Sequence, residues 1–142
     1  MNYKRAVGIG IVAYIASFII GIAIGVLLNV DFSSTGAVSN SMWYTGIIAQ
    51  VVVALFFAYW YFSGKSVKEY GIQEGISLAA IFVVVGFAID LLFMLPLMAT
   101  DGMAREIWAL YSHPLFLVSI LVLFLGTSFV GSYFDDQNPS DE

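Results

Sequence analysis

Polar and apolar positions divide the chain into four apolar runs, at about residues 6–30, 43–62, 76–100 and 114–134, separated by short polar stretches. At about 1.5 Å per helical residue, each run is long enough to cross a hydrocarbon core roughly 30 Å thick. The fold class expected is therefore all-α: a polytopic membrane protein built as a bundle of four transmembrane helices. Residues 1–134 form its single domain, and residues 135–142 form an acidic, disordered tail.

The first run follows Lys4 and Arg5 and carries no charge from Ala6 to Val30. It resembles a signal peptide only superficially, because its apolar part is about twice the usual length and no small-residue cleavage site ends it. It reads as a retained span. Ala13, Ser17, Gly21 and Gly25 recur every fourth residue along it, a small-residue ridge on which another helix can pack at close backbone distance. Gly21→Leu is accordingly expected to disturb assembly more than Ile20→Leu.

The second run opens on Trp43 and Tyr44 and closes on Phe56, Phe57, Tyr59, Trp60, Tyr61 and Phe62. Such clusters read as aromatic belts at the two membrane interfaces. Gln50 is the polar residue between them. The stretch from Ser63 to Gly75, with Lys65, Lys68, Glu69 and Glu74, reads as a loop.

The third run carries Asp90, a charge near the centre of an apolar run, about 21 Å along a helix that starts at Ile76. No Lys or Arg lies inside any run, and Arg105 lies beyond the end of this one, so an ion pair within the chain is not expected. A neutral acid is expected instead, bonded to Gln50, Ser17 or Ser119. Those groups fall at roughly the same depth, 16 to 23 Å from the cytoplasmic end, if the helices are regular. Gly86, one turn earlier on the same face, admits a neighbouring helix, and Pro96 breaks the helix and frees the carbonyl of Leu92. A carboxyl one turn from a broken helix can line a cavity or clamp two helices together.

Between the third and fourth runs, Met103, Ile107, Leu110 and Tyr111 fall at helical spacing with Trp108 beside them, as in a short helix lying in the interface. His113 precedes Pro114, the expected first turn of the fourth span, and reads as a cap. The hydroxyls of Ser119, Thr127 and Ser128 can bond carbonyls of their own helix. Lys4, Arg5, Lys65 and Lys68 all fall on one side of a four-span arrangement and Arg105 on the other, which makes the first side, with both termini, cytoplasmic.

Composition removes several classes. With 61% hydrophobic and 11% charged residues the chain is not a soluble domain. The absence of Cys excludes disulfides, thiol redox chemistry and Cys-based metal sites, and His113 alone cannot supply a two-histidine haem site. No buried Lys is present for a Schiff base, and no HExxH pair for zinc. An enzyme is therefore not the expected class, and no catalytic residue, metal or cofactor is assigned. The expected partners are the lipid bilayer and further copies of the chain or a larger membrane complex, with no nucleic acid; the expected location is the cell (inner) membrane. Two functions remain: a non-catalytic packing or accessory subunit, and a small proton- or cation-coupled transporter or channel using Asp90.

Overall fold

The computed structural model describes residues 1–29, 40–64, 71–94, 96 and 111–136, without the side chains of 40–43, 94 and 136. Four long helices account for nearly all of them: α1 (Tyr3–Leu27), α2 (Asn40–Ser63), α3 (Gly71–Ile89) and α4 (Pro114–Asp136). A π-helical turn, Asp90–Met94, continues α3. All four helices hold a stretch long and apolar enough to cross a membrane, and no strand occurs among the described residues.

The ends of the helices differ from those expected, for reasons of capping. Helix α1 starts at Tyr3 because the side chain of Asn2 accepts the backbone N–H of Arg5 at 3.2 Å. Asn29 follows its last turn in the left-handed region, φ 51°, which asparagine tolerates better than most residues. Helix α3 starts at Gly71, five residues before Ile76, where the Gly71 N–H donates to Asp135 Oδ2 at 2.6 Å. A carboxylate from α4 thus meets the positive end of α3. The same bond removes Asp135 from the expected disordered tail, since α4 runs on to Asp136. Residues 137–142, residues 30–39, Lys65, Lys68 and Glu69, and the interfacial segment through Met103, Arg105, Ile107, Trp108 and Leu110 lie outside the described residues.

Helix α1 packs on α2 and α3, and α4 packs on α2 and α3. Hydrogen bonds at one end fix the helix directions. Arg5 near the start of α1 donates to the Trp60 and Gly64 carbonyls at the end of α2, both at 2.9 Å. Tyr61 accepts from the Asn2 N–H at 3.1 Å and donates to Glu74 Oε1 at 2.7 Å. With Gly71 on Asp135, these bonds gather the starts of α1 and α3 and the ends of α2 and α4. The helices therefore alternate up and down, and both described termini lie at one end. Glu74, expected in a loop, belongs to the first turn of α3.

The interior is built from small side chains, among them Ala6, Ala13, Ala49, Ala54, Ala58 and Ala79, with Leu78, Tyr61, Phe62 and Thr127 filling the spaces between. Larger apolar side chains such as Leu27, Val84, Leu117 and Phe129 are more than 60% exposed. That distribution suits an apolar solvent, in which close backbone packing replaces the hydrophobic drive. The aromatic cluster of α2 is divided accordingly. Phe56, Tyr59 and Trp60 face outward as belt residues would, whereas Phe57, Tyr61 and Phe62 are buried, so the belt reading does not hold for those three.

The closest helix contact is not on the small ridge of α1. A Cβ built on Gly71 would overlap the carbonyl of Gly131, and one built on Gly131 would overlap the carbonyl of Gly71. One turn along, a Cβ on Gly75 would fall 2.8 Å from Ser128 Cα. Here α3 and α4 touch backbone to backbone. On the α1 ridge Ala13 and Gly25 are buried and Ser17 and Gly21 half-buried, and Gly21 stands opposite Ala49 with ordinary van der Waals room for a Cβ at 3.8 Å.

Candidate functional site

Asp90 is half-buried, and its partners are two tyrosines rather than the amide and serines expected from depth. Tyr14 of α1 donates its hydroxyl to Oδ1, and Tyr111, just before α4, donates to Oδ2 at 2.6 Å. The reach of Tyr14 follows from packing. Asn2 and Glu74 meet at one level through Tyr61, so Tyr14 and Gly86, each twelve residues further on, are level again, about 18 Å away. The Tyr14 ring lies on Gly86 at 3.4 Å from where a Cβ would be, and its hydroxyl extends one turn beyond to Asp90. Gly86 therefore admits a ring and not a helix backbone.

Because α3 begins at Gly71, Asp90 lies about 28 Å from its start rather than 21 Å, past the middle of the span and toward the end opposite the termini. The π-helical turn begins at Asp90 and precedes Pro96. A proline lacks the N–H that would bond the carbonyl four residues back, and its ring crowds that carbonyl; the wider turn spreads this region of the ladder. The break attributed to Pro96 thus occupies residues 90–94, with Asp90 at its first position.

Asp90 lines a cavity of about 650 Å³ to which all four helices contribute. Gln50, Ser17 and Ser119 line it too, so the four polar groups predicted at similar depth share one space, although no direct bond joins Asp90 to the other three among the described contacts. Both serines are engaged by their own helices: Ser17 donates to the Ala13 carbonyl at 2.8 Å and Ser119 to the Phe116 carbonyl at 2.7 Å. Bonds of this kind are short-range and leave the hydroxyl oxygen free to accept. The remaining lining is apolar, and among the described residues Asp90 is the one charged side chain in it.

Tyr111 completes the site from outside the spans. Burial, and after it the hydrogen bond to Asp90, raises its hydroxyl above the usual phenol range, so it remains a donor at neutral pH. Phe87 and Phe116 hold its ring edge-on, at centroid distances of 5.4 and 5.0 Å. His113 acts as a local cap: its Nδ1 accepts from the Leu115 N–H at 3.3 Å and its carbonyl from the Phe116 N–H at 2.9 Å. Among the described residues no three His, Asp or Glu side chains gather as a metal site would require.

The sequence marks Tyr14 only as a polar group in the first span and Tyr111 only as part of an interfacial helix. The signal that pairs them with Asp90 is the Tyr14 and Gly86 contact, which is legible only once α1 and α3 are in register. The whole is a four-helix bundle, apolar outside, with one carboxyl held between two phenols toward the end opposite the termini. No family model, curated protein or solved structure matches the chain.

Proposed function

We propose that this chain is a small membrane carrier or channel in which Asp90 takes up a proton or a cation inside the bundle cavity. The observation that supports this reading is the setting of the carboxyl: among the described residues it is the only charge lining a space of about 650 Å³, and phenols from two different elements hold both of its oxygens. A residue kept only for packing belongs in a close-packed interface, since helix cores hold few voids larger than a water molecule. Phenols also suit an acid that changes charge. A tyrosine hydroxyl donates to a carboxylate, and after rotation accepts from the protonated acid, so the site stays bonded in either state.

The competing reading is a non-catalytic packing or accessory subunit, alone or as a homo-oligomer, and its support is that Tyr14 and Asp90 tie α1 to α3. Asp90→Asn separates the two, because an amide keeps hydrogen-bonding capacity but binds no proton. In vesicles reconstituted with the purified protein, the carrier reading expects Asp90→Asn to retain the thermal stability of the wild type and lose flux driven by a proton or cation gradient. Equal flux through both proteins would overturn it.

In the same reading the protein sits in the cell membrane with the Asn2 and Asp135 end cytoplasmic, the side that Lys4, Arg5, Lys65 and Lys68 favour. A reporter fused after Glu142 should be active only in the cytoplasm. An external signal would invert the topology.

A further inference from the structure

Accepting that Asp90 exchanges cations, the lining of the cavity bears on which cation it takes. An inorganic ion needs a shell of oxygens: calcium takes six to eight, and magnesium holds several waters in an octahedron. Among the described residues this cavity offers one carboxyl, the Gln50 amide and four scattered hydroxyls, two of them phenols already bonded to that carboxyl. The other described residues of its walls are apolar or aromatic, Tyr14, Phe18, Phe82, Phe87, Tyr111 and Phe116 among them. Phe87 and Phe116 pack on the Tyr111 ring at 79° and 82°, so three aromatic rings gather beside the carboxyl. Electron-rich faces around a carboxylate attract a cation whose charge is shielded by carbon. The volume of about 650 Å³ also falls within the range of sites that enclose a small organic molecule.

We infer that the cavity binds an amphiphilic organic monocation, of the quaternary ammonium or phosphonium kind, with Asp90 as counter-charge and the aromatic wall around its apolar groups. Among the described residues the lining holds no Lys or Arg, and the carboxylate is the counter-charge that the site offers a cation. When the acid is protonated, the cation enters as one proton leaves for water, no other bond changes, and the cavity remains neutral. Proton and cation therefore compete. The other titratable groups in the lining are Tyr14 and Tyr111, whose hydroxyls donate to the carboxyl, while α2 and α4 contribute uncharged Gln50 and Ser119.

The test is calorimetric titration of the full chain in lipid nanodiscs with tetraphenylphosphonium, and with tetraphenylborate as the anion of matched shape. The cation should bind saturably and the anion should not, affinity for the cation should fall as pH is lowered, and buffers of different ionisation enthalpy should reveal proton release. Asp90→Asn should weaken binding about ten-fold or more, through loss of the charged partner, and Phe116→Leu about two- to ten-fold. Equal binding of the borate, or affinity indifferent to both pH and Asp90→Asn, would reduce the effect to apolar partition and overturn the inference. Flux of protons or sodium that depends on Asp90, without phosphonium binding, would also overturn it while leaving the Asp90 site standing.

Discussion

The two halves of this bundle use small residues for opposite ends. Toward the termini, Gly71 and Gly131 bring α3 and α4 into backbone contact, and Arg5, Tyr61 and Glu74 bond three helices together. Around Asp90 the same helices stand apart. A Cβ added to Gly46 there would point into open space, with nothing within 4 Å, and Gly86 faces a tyrosine ring. The residue opposite decides what these glycines do: Gly71 against Gly131 closes an interface, and Gly86 against Tyr14 borders the cavity.

The largest effect should come from closing off that first contact. Gly131→Ala places a methyl on the Gly71 carbonyl, and because backbone cannot move aside as a side chain can, it should cost about 1–3 kcal/mol in reversible unfolding. Gly46→Ala, in the open half, should be neutral or stabilise by about 0.5–1 kcal/mol through helix propensity. Similar losses from both would erase the distinction between the halves.

Asp90→Leu comes next. It removes the acceptor of two phenols at once and should lower stability by about 1–3 kcal/mol, against under about 1 kcal/mol for Asp90→Asn. Tyr61→Phe probes the tight end in the same way: it deletes the bond to Glu74 and the acceptor for the Asn2 N–H, with an expected cost of about 1 kcal/mol and no change in flux. Thermal melts in one detergent, paired with vesicle flux, check both, and a flux defect in Tyr61→Phe would contradict the assignment of the proposed carrier function to the Asp90 half alone. The smallest effect belongs to Gly21→Ala, whose added methyl meets Ala49 at ordinary contact distance.

That last position shows where the sequence is informative and where it is not. Four runs of apolar residues mark the helices, and Asp90 stands out as the acid within them. The ridge of Ala13, Ser17, Gly21 and Gly25 does face inward in part, but its spacing carries no information on what lies opposite. Gly71 and Gly75 read as loop because polar residues surround them, and only the Asp135 cap shows that the helix has already begun. The depth of Asp90 shifts by the same five residues. Tyr14 and Tyr111 lie 76 and 21 positions from Asp90, separations that no local pattern spans.

In the proposed carrier, the Asp90 carboxyl exchanges its proton for the cation it takes up. Infrared difference spectroscopy on protein labelled with carbon-13 aspartate, compared with Asp90→Asn, observes that carboxyl directly in lipid. Adding a transported cation should convert a protonated-carboxyl band into a carboxylate band, and Asp90→Asn should abolish the change. A carboxyl band unaltered by the cation, in protein that still moves it across vesicles, would contradict the carrier reading.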